Sequence, residues 1–340
     1  MTTTSENNKR TIELMKNGYD PFLDFLKGFC ILSVIFNHCF GPQKDLFLFP
    51  YWGQLAVPLF LILQSYHVFR RDNVQIDKPQ VTKMMHRIFL PFAAVTLLEF
   101  SLCLIFRDTS LMQLAKGTIL SGGIGPGSYY FWVYLQFFFL VPLTYWAFRR
   151  FNINLITGGG IFTFICMITE LICSYIDMRN DIYRLSCLRY IYLIYLGYVW
   201  SRKGIRLTYF TILLSAVSIV FITMFRYCGL TFEPFFYFSI YSWEDCHWIC
   251  YFYPAFLFMF ILKWAYDNLG TKLRAAVEEI GKYSWQIFLM QMFFFSMFPK
   301  GRLLDMSDHY ITMPLYCLLA FAFSIVPVIA YKRIKTQNKA

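Results

Sequence analysis

The sequence predicts an all-α integral membrane protein, a bundle of about ten transmembrane helices with both termini cytoplasmic. Three observations carry this. Of 340 residues, 58% are hydrophobic and only 15% charged, against roughly 25% charged residues in a soluble domain. Much of the surface must therefore face lipid. Apolar runs recur along the whole chain, and a hydrocarbon core of about 30 Å takes about 20 helical residues to cross. Lysine and arginine are sorted between alternate connecting loops, as in a protein oriented by its cytoplasmic positive charge.

Taken in order, the apolar runs fall at approximately 22–42, 50–69, 87–106, 128–148, 155–176, 185–200, 206–226, 247–266, 281–299 and 310–331. The sixth is short and the seventh is the most plainly apolar. No repeat or low-complexity stretch divides them. The chain therefore reads as a tail over 1–21, one membrane domain over 22–331 and a basic tail over 332–340. Residues 1–21 are polar and carry no signal-peptide core, so the first apolar run is expected to be retained.

Ten crossings place both termini on one side. With the N-terminus cytoplasmic, 21 of the 31 basic residues fall inside: Lys9, Arg10, Lys16, Arg70, Arg71, Lys78, Lys83, Arg87, Arg149, Arg150, Arg202, Lys203, Arg206, Lys263, Lys272, Arg274, Lys282, Lys332, Arg333, Lys335 and Lys339. The outer loops hold 8: Lys44, Arg107, Lys116, Arg179, Arg184, Arg226, Lys300 and Arg302. The net charge of +11 is thus topological, and nucleic-acid binding is not expected. The ten cysteines are scattered through apolar runs with no metal-ligand spacing. They read as inert thiols, and no metal is expected.

Ionisable groups in a bilayer cost at least about 2.5–3.5 kcal/mol at a helix centre, so those present are candidates for function. The first run carries Asp24, Lys27 and His38, the third Arg87 and Glu99, the fifth Glu170, the sixth Arg189, and the ninth Gln286 and Gln291. At about 1.5 Å of rise per residue, His38 lies about 16 Å outward of Lys27, and Glu99 about 18 Å outward of Arg87. Lys27, Lys83 and Arg87 form a basic inner layer, with the other groups mid-depth or further out. Each has a structural reading as well. The cations can snorkel to headgroups, Glu99 and Glu170 can be packing groups, and His38 a hydrogen-bonded structural histidine.

The first run begins Phe22-Leu-Asp-Phe-Leu-Lys-Gly and continues to His38, with ten residues between Lys27 and His38. This resembles the opening helix of the acyltransferase family 3 membrane proteins, where Arg is usual at the Lys27 position. Val57-Pro-Leu-Phe-Leu-Ile-Leu-Gln-Ser-Tyr66 is similar to the family's second helix, with Gln64-Ser65 where Ser-Gly is usual. Lys83-Met-Met-His-Arg-Ile-Phe-Leu-Pro91 resembles its basic entry to the third helix, with Met84 in place of one Arg. Gly127-Ser-Tyr-Tyr-Phe-Trp132 and Ile280-Gly-Lys-Tyr-Ser-Trp-Gln-Ile-Phe-Leu-Met-Gln291 resemble two further entries, with Gln291 where many members have His.

The resemblance implies a membrane-bound acyltransferase using acyl-CoA as co-substrate, with no bound cofactor. The acceptor it implies is a hydroxyl of a surface polysaccharide or lipid-linked glycan, and the setting a bacterial inner membrane. Acetyl is the commonest acyl group by resemblance. On this reading Lys27, Lys83 and Arg87 hold the CoA phosphates. His38 is the general base, and Glu99 or Glu170 orients it. Asp24, Trp132, Arg189 and Gln291 bind the acceptor or support the site. The aromatic residues of the outer segment 227–246 suit sugar rings or an interfacial belt equally. The rival reading is a membrane transporter or polysaccharide exporter, though neither repeated halves nor broken helices are visible in the sequence.

Overall fold

The computed structural model describes residues 20–40, 48–71, 74, 76–106, 110–176, 178–227, 247–299 and 309–337. The N-terminal tail to residue 19 and most of the outer aromatic segment lie outside them. The described residues hold helices and connecting turns and no strand.

The chain opens with α1 (Pro21–Phe40), started by Asp20 Oδ1 accepting the Phe22 N–H at 3.0 Å. α2 (Ala56–Phe69) follows a 3₁₀ turn over Phe49–Tyr51. α3 (Lys78–Met84) runs through a π-helical turn, Met85–Phe89, into α4 (Leu90–Phe106). The widened turn precedes Pro91, whose ring would otherwise press on the carbonyl four residues back and which has no N–H to donate. α5 (Leu111–Ser121) is a short helix started by a Ser110–Gln113 capping box. The apolar runs do not predict it, because its eleven residues are too few for a crossing and lie within an expected outer loop.

The second half comprises α6 (Tyr129–Arg150), α7 (Leu155–Tyr175), α8 (Asn180–Tyr183), α9 (Tyr192–Lys203), α10 (Tyr209–Tyr227), α11 (Met259–Asn268), α12 (Thr271–Lys282), α13 (Ser284–Met297) and α14 (His309–Gln337). Among the described residues, seven stretches are long and apolar enough to cross a membrane: Pro21–Phe40, Lys78–Phe106, Tyr129–Arg150, Leu155–Tyr175, Tyr209–Tyr227, Trp248–Asn268 and Thr312–Ile334. The remaining runs, at 50–69, 185–200 and 281–299, coincide with α2, most of α9 and α13, helices of 14, 12 and 14 residues. At 1.5 Å per residue these reach about 21, 18 and 21 Å. Seven of the ten apolar runs thus coincide with helical stretches long enough to cross, and the other three hold shorter, largely buried helices.

The short helices lie inside because α1 is the hub of the bundle. It packs against α2, α11, α12, α13 and α14, while α2 packs along α9 and against α6. Close packing of α1 on α12 needs glycine on both sides. A methyl at Gly28 would overlap the Val277 carbonyl, and one at Gly281 would overlap the Asp24 carbonyl. Small residues at such crossings let backbones touch. Of the α1 window, 67% is buried, against 17% for both Lys78–Phe106 and Tyr209–Tyr227. The last two show Leu97, Ile105, Phe106, Phe210 and Leu213 on the outside, as lipid contact requires.

Candidate active site

A cavity of about 570 Å³ lies between α1, α2, α6 and the start of α13. That is the size of a small-molecule site. One end is basic and polar, with Lys27, His67, Arg71, Gln80 and Ser284. The other end holds Asn37, His38 and Gly127. Phe60, Leu63, Tyr130, Tyr134 and Phe288 form walls between them. Lys27 and His38 share α1 and are therefore about 16 Å apart along its axis.

The inner end is set by α1 and α2 together. Lys27 Nζ is held 2.5 Å from Asp24 Oδ1, three residues earlier on the same helix. Asp24 is buried and Lys27 half-buried, so the carboxylate positions the ammonium at the cavity edge. His67 and Arg71 join Lys27 there. The motifs mark neither of them. In the sequence Arg71 counts only toward topology, and His67 follows directly on the Val57–Tyr66 motif without belonging to it. Lys83 and Arg87 stand on α3 and the π-helical turn, both exposed and neither lining the cavity. The structure therefore brings Lys27 together with His67 and Arg71, and leaves Lys83 and Arg87 outside.

Along the walls, several polar atoms are buried with no hydrogen-bond partner among the described residues: Asn37 Oδ1, Gln64 Oε1 and Trp285 Nε1. Gln64 uses its other end, Nε2, to donate to the Tyr134 carbonyl at 3.1 Å. A buried polar atom left unpaired costs about 1–3 kcal/mol. Three of them on one cavity fit a site that completes its hydrogen bonds with a ligand. Ser65, which stands where the resemblance expects Gly, is wholly buried and donates to Leu61 O at 3.0 Å. It faces Gly197 of α9, where any side chain would collide with it.

At the outer end the loop before α6 decides the geometry. Gly127 has φ +87°, in the left-handed region that favours glycine. Its carbonyl accepts the Tyr130 N–H at 2.9 Å and so leads into α6. A methyl built on Gly127 would stand 3.7 Å from His38 Nε2 and 3.9 Å from Gln291 Nε2. His38 and Gln291 thus both approach this glycine, His38 from within the cavity lining and Gln291 from behind it. The His38 ring also lies against Phe295, with centroids 5.4 Å apart. Glu99 of α4 is wholly buried beside this loop and accepts a hydrogen bond from Ser296 Oγ at 2.8 Å. A methyl on Gly125 would come within 2.9 Å of Glu99 Oε1. Trp132 donates through Nε1 to Gly122 O at 2.6 Å. It is partly exposed and outside the cavity lining, so it braces the loop.

Glu170 and Arg189 sit in a different cluster. Glu170 Oε1 on α7 is 2.9 Å from His247 Nε2, and His247 Nδ1 accepts the Ile249 N–H at 3.3 Å. The second contact places the imidazole proton on Nε2, on the side of the carboxylate. The approach of the two groups is close but off the hydrogen-bond axis. Arg189, in the 3₁₀ turn Cys187–Tyr190, is buried, and its carbonyl accepts the Tyr251 hydroxyl at 3.4 Å; Tyr183 feels both Arg189 and Glu170. Burial raises the pKa of the Tyr183 phenol, and the nearby Cys173 and Glu170 raise it further. Neither Glu170 nor Arg189 lines the cavity that holds His38. Nothing in the sequence marks His247, which begins an expected crossing without any motif around it.

The family model Acyl_transf_3, described as an acyltransferase domain, matches residues 20–332. No curated protein and no solved structure matches the chain.

Proposed function

Since the chain belongs to acyltransferase family 3 and has the helices of a multi-pass integral membrane protein, we propose that it moves a short acyl group, acetyl first among candidates, from cytoplasmic acyl-CoA to a glycan hydroxyl. The acceptor is a surface polysaccharide or a lipid-linked glycan under assembly, and the setting a bacterial inner membrane. All ten apolar runs cross, with both termini cytoplasmic. The three short helices complete their crossings inside the protein, where irregular backbone at membrane depth is tolerated.

The observation that carries this reading is the cavity with cations at one end and His38 at the other. Lys27 and Arg71 suit the phosphates of CoA, with the His67 imidazole beside them as a further polar group. The roughly 16 Å between Lys27 and His38 suits an extended pantetheine arm. The unpartnered atoms of Asn37, Gln64 and Trp285 suit that arm's amides, since they offer two acceptors and one donor along an otherwise apolar wall. His38 takes the proton of the acceptor hydroxyl as its oxygen attacks the thioester carbonyl carbon. The C–S bond then breaks, and the proton passes from His38 to the leaving thiolate. An ester and free CoA result. Glu99 stiffens the outer end through Ser296, and Asp24 holds Lys27.

The test is acyl transfer by purified wild-type and His38→Ala protein, given radiolabelled acetyl-CoA or succinyl-CoA and a glycan extract from the source cells. Label entering glycan with the wild type alone supports the reading and names the donor. No label from any donor, with glycan instead moved across vesicles, would replace the enzyme with an exporter.

A further inference from the structure

Gln291 lies midway along α13. Its side chain is wholly buried, at 0% exposure. Neither Nε2 nor Oε1 has a hydrogen-bond partner among the described residues. Two unmet amide atoms in one buried side chain run against the general rule that buried polar groups are paired. The same Nε2 lies 3.9 Å from where a Cβ on Gly127 would stand, and His38 Nε2 lies 3.7 Å from that point, so Gln291 sits just behind the cavity lining that Gly127 and His38 form. The absence of a Cβ at Gly127 leaves this space open. The N-terminus of α6 ends at the same place, and Tyr129 and Tyr130 of its first turn line the cavity beside Gly127. A helix N-terminus carries partial positive charge.

We propose that Gln291 Nε2–H forms an oxyanion site over Gly127, beside the N-terminus of α6, which receives the thioester carbonyl oxygen. The inference rests on the acyl-transfer reading and on His38 as its base. When the hydroxyl oxygen bonds to the carbonyl carbon, the C=O π electrons move onto oxygen. The negative charge grows there, not on the nucleophile. A donor on the nucleophile would tie up the lone pair that must attack. A donor on the carbonyl oxygen gains strength as the charge develops, which is the differential interaction that lowers a barrier. Collapse of the intermediate returns those electrons, expels the thiolate and frees Gln291 for the next turnover.

The test uses full-length protein and measures kcat and KM for acetyl-CoA by CoA release, alongside thermal unfolding. Gln291→Met keeps the length of the side chain and removes the donor. Its kcat should fall about 10²–10³-fold, the usual loss for one oxyanion donor, with KM nearly unchanged. Its unfolding temperature should hold or rise, because an unpaired buried amide has gone. Gln291→His keeps an N–H and should recover to within about tenfold of wild type. A Met variant with wild-type kcat, or a loss confined to KM, would overturn the oxyanion role. So would a His variant as inactive as Met. If the Met variant fails to fold, Gln291→Glu decides: a carboxylate facing the oxyanion should lower kcat at least as far, and an unimpaired Glu variant refutes the proposal. Wild-type protein inactive with every thioester would sink the acyl-CoA reading and this inference together, whereas an active wild type with an unimpaired Met variant sinks this inference alone.

Discussion

On α7, Glu170 meets His247 at 2.9 Å, and the far nitrogen of that imidazole accepts a backbone N–H. On α13, Gln291 is as deeply buried and neither of its amide atoms has a partner among the described residues. The sequence presents Glu170 and Gln291 alike, as polar residues inside apolar runs. Their surroundings separate them. Glu170 finds its facing group within the protein and sits away from the cavity. Asn37, Gln64 and Trp285 leave hydrogen-bonding capacity along the cavity that His38 lines, and Gln291 leaves more beside Gly127, just behind that lining. A buried polar group that meets a complementary group stabilises the fold, whereas one left unpaired beside a cavity points to a ligand.

The largest effect that sharpens this contrast belongs to His38. His38→Ala should cut acyl transfer by about 10²–10⁴-fold, the range for a lost general base, with unchanged yield and unfolding temperature. Residual activity near wild type would return His38 to a structural role. Gln291→Met comes next and should lower kcat without lowering stability. Glu170→Ala should do the reverse. Removing the carboxylate takes away the group that the buried His247 Nε2 approaches at 2.9 Å, at a cost of about 1–3 kcal/mol, so the variant should unfold at lower temperature. The kcat of its remaining folded fraction should stay close to wild type. A stable but inactive Glu170→Ala protein would erase the distinction between the two clusters.

Smaller effects follow at the inner end. Lys27→Ala or Arg71→Ala should each raise KM for acetyl-CoA about tenfold, the loss of one charge-assisted hydrogen bond, with kcat kept. An unchanged KM in both would place the CoA phosphates elsewhere. The smallest effect is expected at Lys83 and Arg87, which are exposed and outside the cavity lining. Lys83→Ala with Arg87→Ala should change KM by less than about twofold, the order expected for exposed charges. A tenfold rise would show that the donor reaches beyond the cavity to the π-helical turn.

Hydropathy and charge sorting made the helical membrane architecture legible, because lipid forces every span to be apolar and to satisfy its own backbone. The motifs marked α1 and the junction of α12 with α13 for a reason the fold makes visible: Asp24 and Gly28 of one motif pack on Gly281 of the other. His38 and Lys27 were legible because they share a helix, and helical rise alone sets their separation. His67 and His247 were not, since each takes its place from a helix or turn far away in the chain. The same holds for the division of the ionisable residues. Depth along a helix can be counted from sequence, but the direction a side chain faces and the neighbour it meets depend on how helices pack. The sequence by itself therefore determined the apolar runs, their helical character and the Lys27–His38 pair. Only the tertiary structure decided that Glu170 faces His247, that Lys83 and Arg87 stand outside the cavity, and that Gln291 and His38 both approach Gly127, because those placements join residues brought together by packing alone.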